Sequence, residues 1–426
     1  MIIKNIQTAK DEAHRCLSSG RIRKALFLYE EICRTDPSDD EAHFQLAVIY
    51  RRVGEYNKAI NTLIKTITIN PAHIDASILL GRAKMGLGNL PEAVKLFDTA
   101  HRLKRGLPIN EQGLVDPLFE IPDSHTNDES FSSAGKHNLK HDAEQLRYLV
   151  SKGLIPSSYK DVANEYDKVA SEIDAPDSLK PLVVLNKDQR QRIGNTYHKF
   201  LYNVETPEIP SGHAVNPNAD LQVVEGRYHE KKLGVTHFDD FLTPQALLLL
   251  NKYCLESTIW YRSNYPGYVG AMIDDGFSCG LLQQISEELC KSLPSIFRDH
   301  KLMYCWAYKY DSVLEGIRLH ADNAAINVNF WITPDEANLE PDTGGLIVYD
   351  AEAPLEWEAE KFNGDAVRIR KHLNECNSDS VRIPYRQNRA IIFHSNLFHE
   401  TDDFHFKEGY ENRRINITML FGIRGT

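Results

Sequence analysis

A 34-residue period runs through the first hundred residues of this 426-residue chain and constrains its fold more than any other feature. Gly20, Gly54 and Gly88 stand one period apart, as do Ala25, Ala59 and Ala93, and Tyr29, Leu63 and Phe97. Pro37 and Pro71 keep the same step. Self-similarity of this length implies stacked supersecondary units, none of which buries its apolar face alone. Gly and Ala are expected where the two helices of a unit cross closely, with the aromatic or leucine filling the groove and Pro stopping the second helix. Arg105 stands where a third Pro would fall, so the stack is expected to end there or run into a capping helix.

With Leu46, Ala47 and Tyr50 in the second unit and Leu80 and Gly81 in the third, the pattern resembles the tetratricopeptide repeat. The resemblance implies an all-α solenoid over residues 1–105, serving either to hold a protein partner or as a scaffold for the rest of the chain. Charge divides at the same place. Residues 1–105 carry 17 Lys+Arg against 12 Asp+Glu, so the remainder holds −16 where the whole chain has a formal −11. No basic run is interleaved with aromatics, and nucleic acid is not an expected partner. No stretch of about 18 apolar residues exists, so no membrane span is expected. The first residues lack the apolar core of a signal peptide and the last carry no lipidation signal. Seven scattered cysteines without a C-x-x-C pair argue against a zinc or disulfide framework and for a cytoplasmic location.

Residues 106–184 read as a linker with bridging helices. A loop rich in Gly106, Pro108, Pro117 and Pro122 and a polar run at 124–130 precede helical spacing at 139–153 and 158–173. Further on, helices at 243–254 and 281–293 come before strand candidates at 302–310, 326–332, 346–349, 390–393 and 415–421. Helices first and short strands afterwards suit a double-stranded β-helix (jelly-roll) α+β domain over residues 185–426. The segment 261–280, with Pro266, Gly267, Gly270, Gly276 and Gly280, reads as a mobile loop that either covers a site or is inert.

His320-Ala321-Asp322 sets an imidazole and a carboxylate two residues apart, on one face if the segment is extended. A distant histidine, His399, brought alongside would complete the 2-His-1-carboxylate arrangement of non-haem Fe(II) oxygenases. Tyr308-Lys309-Tyr310, His320-Ala321-Asp322, Gly344-Gly345-Leu346, His399 and Arg413-Arg414-Ile415-Asn416-Ile417-Thr418 follow one another in that order. The ordered set is similar to the prolyl-4-hydroxylase-like branch of the Fe(II)/2-oxoglutarate dioxygenases over roughly residues 235–426.

That resemblance implies His320, Asp322 and His399 as Fe(II) ligands and Arg414 as the fork that takes the far carboxylate of 2-oxoglutarate. It also implies hydroxyl contacts from Tyr310 and Thr418, and O2 as the oxidant. Three alternatives stand beside these residues: His394 for His399, Arg413 for Arg414 and Tyr308 for Tyr310. The resembled family usually places its distal ligand after a strand ending in Phe and a short turn, which the resemblance maps to Phe393 and His399, and the Arg-x-Asn-x-Thr spacing favours Arg414. Gly344-Gly345 reads as a tight turn, and Trp331 and Trp357 as core, rim or substrate pocket. The implied reaction is hydroxylation of a protein or peptide side chain, or of a small amino-acid-like metabolite, with release of succinate and CO2. Retention of Asp322 argues against halogenation. The rival reading is a repeat-based protein-interaction scaffold with a catalytically silent jelly roll.

Overall fold

The computed structural model describes residues 5–109, 132–173, 182–206, 208–210, 212–230, 234–263, 267–312 and 316–425. The chain divides into two compact units, Met1–Lys104 and Arg105–Thr426. Among the described residues, no helix is long and apolar enough to cross a membrane. The polar run at 124–130, with Pro117 and Pro122, lies outside the described residues.

The first unit is a run of antiparallel helix pairs: α1 (Ile6–Ser18), α2 (Ile22–Thr35), α3 (Asp40–Arg52), α4 (Tyr56–Ile69), α5 (Ile74–Gly86) and α6 (Leu90–Arg105). The periodic glycines do not lie at helix crossings, contrary to expectation. They sit in the turns within each pair, with φ of 72°, 84° and 80° at Gly20, Gly54 and Gly88. A β-carbon on Gly20 or Gly54 would meet nothing within 4 Å, so left-handed backbone is what these positions require, not space. Packing falls to the other periodic residues. Ala25, Ala59 and Ala93 are buried, and so are Tyr29, Leu63 and Phe97. Pro37 and Pro71 follow two residues after α2 and α4 end, where Pro forbids continuation. The Asp39 side chain accepts from the Ala42 N–H at 2.9 Å and caps α3.

The Tyr29 hydroxyl is buried with no hydrogen-bond partner, and burial pushes its pKa up to about 12. Tyr29→Phe should therefore leave stability unchanged or raise it by up to about 1 kcal/mol, as read from the denaturant midpoint of the full chain. A loss of more than about 1 kcal/mol would show that the hydroxyl is satisfied.

The second unit opens with helices α7 (Lys136–Ser151), α8 (Tyr159–Glu172) and α9 (Lys187–Ile193), and with a ribbon of β1 (Ser133–Ala134) and β2 (Val183–Val184). Leu139, Leu146, Leu149, Tyr159, Tyr166 and Val169 form their shared core. The later strands are β3 (Val235–Phe238), β4 (Tyr268–Met272), β5 (Leu302–Tyr310), β6 (Ile326–Trp331), β7 (Leu346–Glu352), β8 (Ser380–Ile383), β9 (Ala390–His394), β10 (Leu397–Thr401) and β11 (Ile415–Phe421). They make two antiparallel sheets, one ordered β3-β9-β6-β11-β5-β4 and the other β10-β7-β8. Trp331, Ile391 and Phe393 of the first sheet share a core with Leu346, Val348, Ile383 and Leu397 of the second. The sheets therefore pack face to face.

The segment expected to be a mobile loop, 261–280, contains β4, which pairs with β5 along its whole length. Gly270 sits in that strand because a β-carbon there would come within 2.8 Å of the Tyr308 ring. Pro266 lies outside the described residues.

Candidate metal centre

Two strand contacts assemble the site. His320 and His399 form an isolated antiparallel bridge, with N–H to O distances of 3.0 and 2.8 Å in the two directions. The Asp322 N–H donates to the Ser395 carbonyl at 3.1 Å, and the Thr401 N–H to the Ile317 carbonyl at 3.0 Å. Residues 317–322 thus run beside β10 as an extra edge of the smaller sheet. From outside, Ala321 is pinned by its own N–H to the Phe362 carbonyl at 2.9 Å and by the Asn363 side-chain amide to its carbonyl at 3.3 Å.

Candidate ligand atoms of His320, Asp322 and His399 all lie within 4.8 Å of one another. His320 Nε2 is 3.8 Å from Asp322 Oδ1, and His399 Nε2 is 3.4 Å from Asp322 Oδ2. The other ring nitrogens are engaged: His320 Nδ1 donates to the Arg318 carbonyl at 2.7 Å and His399 Nδ1 to the Leu397 carbonyl at 3.0 Å. Carbonyls only accept, so the proton of each neutral ring sits on Nδ1 and the Nε2 lone pairs face the shared space. Burial, and then the neighbouring His399, pushes the His320 pKa down to about 4. Burial alone would raise the Asp322 pKa, but the neighbouring His399 and His320 and the bond from Asn327 Nδ2 hold it below the ordinary value. Two neutral nitrogens and one anionic oxygen suit a borderline divalent ion such as Fe(II).

His320 makes a pH prediction for the metal-free chain. Its folded pKa lies below the unfolded 6.5, so the unfolded state takes up the proton first as pH falls. Stability should therefore decline between about pH 6.5 and pH 4, by up to about 3 kcal/mol from this residue. His320→Gln should flatten the decline, measured as unfolding free energy against pH. An unchanged slope would remove His320 as its source.

The pocket beside the three residues is lined by Trp306, Ile317, Asn329, Leu346, Thr401, Arg414, Asn416 and Thr418. Strand register explains this lining. Thr418 of β11 pairs with Trp306 of β5 on one side and Asn329 of β6 on the other, so the three share a face. Arg414 is 1% exposed and has no carboxylate within ion-pair distance among the described residues. Its Nε donates to the Gly344 carbonyl at 2.7 Å and its Nη2 to the Gly345 carbonyl at 3.2 Å, while Nη1 has no partner. Gly344 has φ 82°, and a β-carbon on Gly345 would lie 1.8 Å from the Ile383 carbonyl oxygen. The glycine pair is thus a turn, as expected, and also the cradle that aims Arg414, which side-chain reading had missed. The Tyr310 ring lies 4.8 Å from the guanidinium, and its buried hydroxyl is also unpartnered. Burial raises the Tyr310 pKa, so the phenol keeps its proton.

The alternative residues lie elsewhere. His394 pairs with Glu352 at 3.5 Å, away from Asp322. Arg413 is bound to Glu144 of α7 at 2.8 Å. Tyr308 packs against Gly270 and Tyr268. Trp331 is a core residue 5.6 Å from the Arg414 guanidinium, and Trp357 packs on His372 and Phe398. Thr418 does line the pocket, but its hydroxyl donates to Asn329 Oδ1 at 2.7 Å. Its single proton is therefore spent inside the protein, and it offers an occupant only lone pairs. The Thr401 hydroxyl, which also lines the pocket, accepts from the Ile317 N–H at 3.1 Å and lies beside the Tyr310 hydroxyl.

Comparison with known proteins bears on the first unit. Residues 18–100 match the family model of anaphase-promoting complex, cyclosome, subunit 3. The N-terminal helices form a tetratricopeptide-like solenoid. Among solved structures, the chain is similar to the TPR2B domain of yeast Sti1 in its pHsp70 complex (19% identity, 23% of this chain and 79% of that one, TM-score 0.22). It is also similar to the second TPR of Spaghetti (RPAP3) bound to the HSP90 peptide SRMEEVD (22%, 24% and 93%, TM-score 0.23). A third is the Yersinia enterocolitica type III secretion translocator chaperone SycD (18%, 25% and 81%, TM-score 0.23).

Proposed function

We propose that the second unit is a 2-oxoglutarate-dependent oxygenase on a jelly-roll framework. One observation carries this reading: a 2-His-1-carboxylate cluster shares a pocket with a buried arginine that has no anionic partner among the described residues. A buried guanidinium without a counter-charge is costly, and a carboxylate ligand would offset that cost. The chain's course fits the framework, since β6, β9 and β11 lie in the larger sheet and β7, β8 and β10 in the smaller.

His320 and His399 would hold Fe(II) through Nε2 and Asp322 through a carboxylate oxygen. Iron, when bound, supplies the redox chemistry that couples decarboxylation of 2-oxoglutarate to substrate oxidation. The balance is R–H + 2-oxoglutarate + O2 → R–OH + succinate + CO2. Arg414 Nη1 and the Tyr310 hydroxyl supply donors for the terminal carboxylate. Apolar Leu346 and Trp306 limit water in the pocket.

The solenoid is an architecture used for protein association, and the substrate proposed is a protein or peptide side chain, with a small amino-acid-like metabolite as the other candidate. A second reading has the match at residues 18–100 in its favour: the chain is an interaction scaffold and its β-sheet unit is silent. Succinate release separates the two. Full-length protein with Fe(II), O2 and 2-oxoglutarate should form succinate when a panel of peptides and metabolites is supplied. Absence of any 2-oxoglutarate-dependent succinate, with or without the panel, favours the scaffold.

A further inference from the structure

The buried strands β6 and β11 carry amides on the face that meets the pocket. Asn327, Asn329 and Asn416 are all buried, although polar residues alternating along a strand ordinarily face water. They are joined in series. Asn327 Nδ2 donates to Asp322 Oδ2 at 2.7 Å, Asn329 Nδ2 to Asn327 Oδ1 at 2.5 Å, and Asn416 Nδ2 to Asn329 Oδ1 at 2.9 Å. Thr418 adds its hydroxyl to the same Asn329 oxygen at 2.7 Å.

The direction of this chain follows from its end. An ionised carboxylate only accepts, so Asn327 must turn its NH2 toward Asp322 and its carbonyl toward Asn329. Asn329 must then donate to that carbonyl and present its own oxygen to Asn416 and Thr418. Every amide is thereby oriented by Asp322, and reciprocally Asp322 is oriented by every amide. The Oδ2 atom is held by Asn327, which restrains the carboxylate to one rotation about its last bond. At the other end, Asn329, Asn416 and Thr418 line the pocket beside the three ligand residues.

We propose that Asn327 and Asn329 are positioning residues: a one-way amide relay that fixes the Asp322 carboxylate and ties it to the pocket floor. The proposal rests on His320, Asp322 and His399 holding a divalent metal. Neither asparagine touches the metal position through the relay except by way of Asp322. Partners of this kind set the orientation of ligating groups and commonly change metal affinity by 10–100-fold when lost.

The test is Co(II) binding to the full chain, followed by its visible ligand-field spectrum and checked against the thermal midpoint of each variant. Asn327→Leu removes the donor to Asp322. Asn329→Asp is nearly isosteric, still accepts from Asn416 and Thr418, and cannot donate to Asn327 when ionised. Both should weaken Co(II) binding by about 10–100-fold and alter the band, and the second variant serves if the first does not fold. Folded variants with wild-type affinity and spectrum, whatever their thermal midpoint, would overturn the relay and leave the metal site standing. Wild-type protein that binds no Co(II), or binds it equally after His320→Ala, would overturn the metal site and the relay with it.

Discussion

Arg414→Ala is expected to weaken 2-oxoglutarate binding by about 2–5 kcal/mol, the range for losing one member of a buried charge pair. The guanidinium is pre-aimed: two of its nitrogens are fixed on the Gly344 and Gly345 carbonyls and the third is open. Tyr310, Trp331, Tyr385 and Phe404 rings surround it, so water contributes little screening and a bound carboxylate would meet a strong field. Arg414→Lys should recover only part of the loss, because an ammonium keeps the charge and forfeits the planar fork. Calorimetric titration of metal-loaded protein with 2-oxoglutarate measures the difference. Arg413→Ala should disturb stability instead, since Arg413 is already paired with Glu144. The assignment fails if Arg413→Ala weakens the keto acid and Arg414→Ala does not.

Asp322→Ala carries the largest expected effect on turnover. It removes the only anionic ligand candidate of the cluster and leaves Asn327 Nδ2 and both imidazoles facing a cavity. Losing an outer partner of a ligand costs about 10–100-fold in affinity or activity, and losing the ligand itself should cost more. Succinate formation in this variant should fall more than about 100-fold, to the level of free Fe(II). Turnover within about tenfold of wild type would show that Asp322 is not part of the centre.

Side-chain periodicity made some of this architecture legible. Strands β5 and β11 have the bounds read from the sequence, and His320 and Asp322 stand out only through the ordered residues that follow, since His73-Ile74-Asp75 and His237-Phe238-Asp239 share their spacing. The strand bearing His399 was not legible. Leu397–Thr401 mixes polar and apolar residues without alternation, and its place is set by contacts with β7 and with residues 317–322. The periodic glycines were visible but their role was misread, since spacing alone does not distinguish a left-handed turn from a close crossing. The glycine-rich segment around Gly270 concealed a strand because the reason for the glycine is a tyrosine 38 residues away. The amides of β6 and β11 were hidden for a related cause. Alternating Asn reads as a wet face until the second sheet is seen to cover it. Backbone acceptors such as the Gly344 carbonyl leave no trace in side-chain chemistry at all.

The most direct measurement is the visible absorption of the full chain with Fe(II) and 2-oxoglutarate under anaerobic conditions. Chelation of the keto acid by iron in this site predicts a weak metal-to-ligand charge-transfer band in wild type that is lost in His320→Ala and Asp322→Ala. No band in the wild-type protein, or a band that persists in both variants, would contradict the oxygenase reading.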